Sequence, residues 1–186
     1  LLGLRDEWLL SGNVSDERIG DGVEFEFVLR EGEAFSSLPE GQSHISLAKN
    51  LETQTAPEQS GGLLLGLSLW RRLLVEGPEQ YGDVYYLGTA PVTGYDGLAD
   101  VLVATFDASE TYFYSDPRTG RLLAMEVYPD LDVDPCELYF SGQLPIPPAG
   151  AEATMPAQIE VRFGDQVSGL FDVRQYVLPE REDKGA

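Results

Sequence analysis

The chain has one cysteine, Cys136, and one histidine, His44, in 186 residues. One cysteine cannot make an internal disulfide, so the fold does not depend on redox state. One histidine and one cysteine cannot complete a zinc site of the usual nitrogen and sulfur ligands, and no metal is expected. Cations are scarce too: 12 Lys and Arg stand against 32 Asp and Glu, a formal net charge of −20. Such a surface repels nucleic-acid phosphates and anionic lipid head groups, so no nucleic-acid partner is expected. Solubility or a cationic partner is the natural reading of the charge. The longest apolar run, residues 63–70, ends at Arg71 and Arg72, too short to span a bilayer. The glycines form neither a Walker-type nor a dinucleotide-type phosphate loop, and no cofactor is expected. No signal peptide is present, and the first residue is not Met. A single domain over residues 1–186 is expected, excised from the C-terminal part of a longer protein.

What the chain does have is a core and a strand pattern. With 42% hydrophobic and 10% aromatic residues it is no disordered acidic tail. Residues 8–11 read as a short first strand. Residues 23–29 alternate, with Val23, Phe25, Phe27 and Leu29 on one face. Residues 31–60, rich in Glu, Ser, Gln, Gly and Pro, read as loops around one short strand at 44–47. Residues 63–75 form the one strong helix: Leu63, Leu67, Trp70 and Leu74 share a face, and further leucines widen it. Arg71 and Arg72 sit in its C-terminal half, where cations suit the dipole, and Gly77-Pro78 stops it.

Strands follow at 83–90, 98–106, 110–115, 121–128, 136–140, 158–163 and 169–177. Asp116-Pro117-Arg118-Thr119-Gly120 makes one hairpin turn, and Gly164-Asp165-Gln166 another. Parity groups Phe113, Leu123, Met125, Val127, Ile159, Val161, Phe163, Phe171 and Val173 on one greasy face. The other face carries Tyr112, Tyr114, Glu126, Glu160, Arg162, Asp172 and Arg174. The expected fold is α+β: a curled, mostly antiparallel half-barrel with one apolar helix packed on its concave face.

Chemistry-bearing patterns are few. Ser60-Gly61-Gly62 resembles the nucleophile segment of trypsin-like peptidases. Gln59 stands where Asp is required, however, and a leucine-rich helix follows instead of further strands. A hydrolase using Ser60 and His44 would need the two within hydrogen-bond reach. The competing expectation is that Ser60 caps the helix, accepting the backbone N–H of Gly62 or Leu63. Asp130, Asp132 and Asp134 alternate as a calcium loop begins. Pro135 and Ser141 then occupy the positions that need Gly and Glu, so an acidic connection is expected. Cys136, without a His near it in sequence, reads as a buried structural thiol.

Several stretches carry a resemblance: Gly61-Gly62-Leu63-Leu64 through Leu69-Trp70-Arg71-Arg72, Tyr81-Gly82-Asp83-Val84-Tyr85-Tyr86, Phe113-Tyr114-Ser115-Asp116-Pro117 and Asp134-Pro135-Cys136-Glu137-Leu138-Tyr139-Phe140. Over about residues 60–176 the chain resembles a C-terminal LolA/LolB-like domain, of the lipoprotein-carrier fold, in planctomycete-type bacterial proteins. Some of these carry an HtrA-like trypsin-type serine peptidase upstream. The resemblance implies a non-catalytic accessory domain of the cell envelope or periplasm, binding a hydrophobic or peptide ligand or other domains of its own protein. It maps no catalytic residue onto this chain. Any cavity between sheet and helix is expected to be lined by Trp70, Phe113, Met125, Val161 and Phe171; the alternative is that these residues simply pack as core. Another reading makes the domain an interaction module using Tyr85, Tyr112, Tyr114 and Tyr139.

Overall fold

The alternating segments pair into one large antiparallel sheet around a buried helix. A computed structural model describes residues 7–16, 20–130, 132–146, 153–164 and 166–178. In chain order the elements begin with β1 (Trp8–Asp16), β2 (Gly20–Arg30), β3 (Glu33–Leu38) and β4 (Gly41–Ser46). A 3-10 turn (Leu51–Thr53) leads to α1 (Leu63–Glu76) and α2 (Pro78–Tyr81). Then come β5 (Asp83–Pro91), β6 (Leu98–Phe106), β7 (Ser109–Ser115), β8 (Leu122–Tyr128) and β9 (Cys136–Ser141). The chain finishes with β10 (Leu144–Pro145), β11 (Thr154–Met155), β12 (Gln158–Phe163) and β13 (Gln166–Val177). The main sheet runs β4-β3-β2-β1-β13-β12-β9-β8-β7-β6-β5, and β10 and β11 form a separate small hairpin. The sheet curls around α1 without closing.

The core lies between α1 and the inner face of the sheet. Every residue of α1 from Leu63 to Arg71 is buried. The helix packs on β2, β3, β8 and β9, where Phe27, Ala34, Val127 and Leu138 are fully covered. Each fully buried leucine contributes about 1.5–3 kcal/mol, which explains why so apolar a helix is stable here and would not be in water. Gly66 lets α1 approach the sheet: a Cβ there would stand 3.0 Å from both Leu138 and Val127.

Both helix ends are defined. The Ser60 hydroxyl accepts the N–H of Leu63 at 3.1 Å and of Gly62 at 3.3 Å, and donates to the Pro57 carbonyl at 2.8 Å. Gly61 has φ 68°, and a Cβ on it would fall 2.2 Å from the Phe163 ring. Gly77, at φ 82°, returns its N–H to the Leu73 carbonyl, and Pro78 starts α2. Arg72 lies too early for the last turn of α1. It pairs with Glu76 at 2.8 Å, donates to the Gln80 carbonyl and sits over the Phe106 ring, tying α1 to α2 and β6.

Three expectations change. Residues 31–60 are not loops around one strand: they contain β3 and β4, paired Ala34 to Ile45 and Ser36 to Ser43. The inward side chains of β3 are Ala34, Ser36 and, at its end, Leu38, and the first two are too small or polar to register as an apolar face. The first strand runs on to Asp16 through a bulge at Gly12, where a Cβ would meet the Asp172 carbonyl at 2.0 Å. On β8 a bulge makes Leu123 an extra residue, since Tyr114 faces Ala124 and Ser115 faces Leu122. Leu123 is buried but outside the main core cluster, and Leu122 takes the inner position.

Candidate functional site

The apolar stripe of α1 continues past the part of the helix that the core covers. Trp70 is still buried, Leu73 is half-buried, and Leu74 is 39% exposed. Opposite them stand Leu102 of β6, Phe113 of β7 and Phe140 of β9, and Met155 of the β10–β11 hairpin closes one end. Between these walls lies a cleft of about 640 Å³. Small-molecule sites run from about 300 to 1,000 Å³, so the space suits a ligand of that size and exceeds a packing defect. Trp70 anchors the inner wall. Its ring meets Phe140 at 5.2 Å on one side and Trp8 edge-on at 5.5 Å on the other.

Among the described residues the rim is polar but not acidic. Ser115, Thr119 and Gln143 line it with Arg121. Arg121 belongs to the β7–β8 turn, which is held by hydrogen bonds from Asp116 N–H to the Arg121 carbonyl at 2.8 Å and from Gly120 N–H to the Asp116 carbonyl at 2.8 Å. The buried Asp116 carboxylate accepts the Arg118 backbone N–H at 2.8 Å, and that bond first of all holds its pKa below the usual value.

Of the residues singled out in the sequence, Trp70 and Phe113 line this cleft together. Val161 and Phe171 lie elsewhere, beside Ser60 and Leu63 around a recess of about 20 Å³, room for about one water. Met125 is fully covered in the core. Leu102, Phe140 and Met155 had no distinguishing signal beyond strand parity. Met155 lies on a strand of two residues, too short for any periodic pattern.

Ser60 and His44 do not form a catalytic pair. The Ser60 hydroxyl has only backbone partners. His44 stacks on Phe35 at 4.5 Å, with Nε2 3.5 Å from Glu33 Oε1. Asp130 accepts the Asp132 N–H in a local turn. Among the described residues no group of three His, Cys, Asp or Glu side chains gathers at metal-binding distance. Burial pushes the Cys136 thiol well above its ordinary pKa, so it is neutral and unreactive where it sits.

The opposite face of the sheet carries tyrosines, three of them tied to a neighbouring carboxylate as follows. Tyr112 donates to Glu110 at 2.7 Å, Tyr128 to Glu126 at 3.2 Å and Tyr139 to Glu137 at 3.0 Å. The Glu110 hydrogen bond is the main cause that pushes Tyr112 up to about 12; burial first, then Glu126, does the same for Tyr128. Tyr112, Tyr114 and Tyr139 are half-buried, whereas Tyr85, Tyr86, Leu87 and Leu98 stand exposed along the β5 edge. No helix among the described residues is long and apolar enough to cross a membrane.

The fold is LolA-like. The chain superposes on an outer membrane lipoprotein-sorting protein domain, so named, from Vibrio parahaemolyticus with a TM-score of 0.54 at 10% identity, covering 92% of this chain and 84% of that one. A LolA superfamily protein from Nitrosomonas europaea gives 0.52 at 9% identity, covering 96% and 87%. A DUF1329 family protein from Desulfovibrio piger gives 0.51 at 14% identity, covering 98% and 88%. No protein-family model and no curated protein matches the chain by sequence.

Proposed function

We propose that this chain, with its LolA-like fold, is a non-catalytic binding domain of a bacterial cell-envelope protein that holds a hydrophobic ligand in the cleft beside α1. The observation that carries the reading is the open, apolar-walled space of about 640 Å³ bounded by Trp70, Leu102, Phe113 and Phe140. A fully packed interface would have left Leu74 covered; instead it faces the space at 39% exposure. Apolar walls with a few polar groups at the mouth are the usual build of a small-molecule site. The fold likeness to a domain named for outer membrane lipoprotein sorting supports an envelope setting and a lipidic ligand. An upstream serine peptidase, as the sequence resemblance implies, would supply any catalysis from outside these residues.

Titration with the uncharged fluorophore N-phenyl-1-naphthylamine tests this. Saturable enhancement is expected with the native chain, and a large loss in Leu74→Trp, which fills the mouth. Unsaturable signal, or equal signal from both proteins, would contradict it.

A second reading rests on the β5 edge. Tyr86 and Leu87 are 58% and 57% exposed on a strand with an unpaired side, a surface suited to another protein segment. Loss of co-purification of the remaining protein with a Leu87→Lys variant would support it.

A further inference from the structure

We infer that the ligand of the cleft is an amphiphile with one anionic head group, held at the mouth by Arg121. The inference rests on the binding reading above and adds the chemistry of the head. In a chain with 32 Asp and Glu and a net charge of −20, no Asp or Glu among the described residues lines the cleft. Arg121 is the one charged residue of its lining among the described residues. Two carboxylates sit close by in sequence and register, and both are turned to other partners. Asp100, which pairs with Ser115 across the sheet, accepts the Tyr86 hydroxyl at 3.0 Å. Asp116 accepts the Arg118 N–H and lies 3.8 Å from the Arg118 guanidinium.

Among the described residues, Arg121 pairs with no carboxylate, and neither do Lys49 and Arg174, whereas Arg30, Arg72, Arg118 and Arg162 each do. Unlike Lys49 and Arg174, Arg121 lines the mouth of the apolar cleft, where a ligand can supply the missing counter-ion. Its place on the rim, above apolar walls, puts a negative head at the water and an acyl-type chain against Trp70 and Phe113. A guanidinium serves carboxylate and phosphate alike, through paired parallel hydrogen bonds. The head is therefore either of these. A neutral lipid leaves Arg121 unused.

The test compares three ligands of one chain length: laurate, dodecyl phosphate and dodecanol. Each displaces the uncharged fluorophore from the native chain, from Arg121→Gln and from Arg118→Gln. Arg118 is on the same turn and its loss makes the same change in net charge, but it does not line the cleft. The expected result is laurate or dodecyl phosphate binding about tenfold more tightly than dodecanol, equivalent to about 1.4 kcal/mol. The stronger of the two anions identifies the head. Arg121→Gln is expected to erase the preference with dodecanol unchanged, and Arg118→Gln to keep it. Equal binding of all three to the native chain overturns the anionic head and leaves the cleft reading standing. A preference that survives Arg121→Gln, or falls equally in Arg118→Gln, overturns the role of Arg121. If none of the three displaces the fluorophore, the cleft reading falls and this inference with it.

Discussion

The indole of Trp8 on β1 meets the indole of Trp70 on α1 edge to face, with ring centres 5.5 Å apart and planes at 86°. Trp8 is wholly inside the core, whereas Trp70 has the core on one side and the cleft on the other. The contact makes Trp70 both a structural anchor and a wall of the candidate site. Trp70→Ala is expected to destabilise by about 3–5 kcal/mol, the usual cost of removing a buried aromatic. Trp70→Phe should cost far less and keep the cleft. Urea unfolding monitored by far-ultraviolet dichroism measures both.

Ser60 acts on stability and not on chemistry. Its hydroxyl accepts two N–H groups at the start of α1. The cap position itself is Gly62, so Ser60 holds the turn before the helix; Ser60→Ala is expected to cost about 1 kcal/mol, typical of lost buried hydrogen bonds. No esterase activity is expected from the native chain, and a colorimetric ester assay on native and variant proteins checks that half of the statement.

Gly61 is fixed by both backbone and neighbour. At φ 68° a side chain is strained, and its Cβ would stand 2.2 Å from Phe163. Gly61→Ala should destabilise by more than about 1 kcal/mol, since conformational strain at such positions costs about 1–3 kcal/mol before any clash. In the Gly61→Ala, Phe163→Ala double variant the clash is relieved and the strain remains. Its destabilisation should therefore be less than the sum of the two single changes.

The tyrosine face sets an alkaline limit. Tyr112 and Tyr128 are pushed up to about 12 from an ordinary 10. Above the unfolded pKa the unfolded chain gives up these protons while the folded chain keeps them. The stability they contribute is therefore complete below about pH 10 and is lost as pH rises toward 12. Tyrosinate absorbance should rise late, together with unfolding. Glu110→Gln should shift the Tyr112 step to lower pH.

Much of this architecture can be read from residue spacing. The strict alternation through Phe25 and Phe27, the leucine stripe of α1 and the two glycine-containing hairpins all lie where periodicity and turn chemistry put them. The reading fails where the core asks little of the side chain. β3 turns Ala34 and Ser36 inward before Leu38 at its end, so most of its pattern resembles a polar loop. The β8 bulge shifts parity by one residue, which swaps Leu122 for Leu123, and a bulge leaves no mark in alternation. For the site, Trp70 and Phe113 could be named because helix face and strand parity converge on them. Which apolar residues would be left uncovered could not. That depends on how far the sheet curls past the end of the helix, as the contrast between covered Met125 and exposed Leu74 shows.

The most direct test of the account is to locate a bound chain by photolabelling. A fatty acid bearing a diazirine near the end of its tail is photolysed with the native protein, and the adducts are mapped by peptide mass spectrometry. The account predicts labels confined to the cleft walls at Trp70, Leu102, Phe113, Phe140 and Met155, competed away by unlabelled laurate and diminished in Leu74→Trp. Labels spread over the β5 edge and the tyrosine face, without competition, would contradict it.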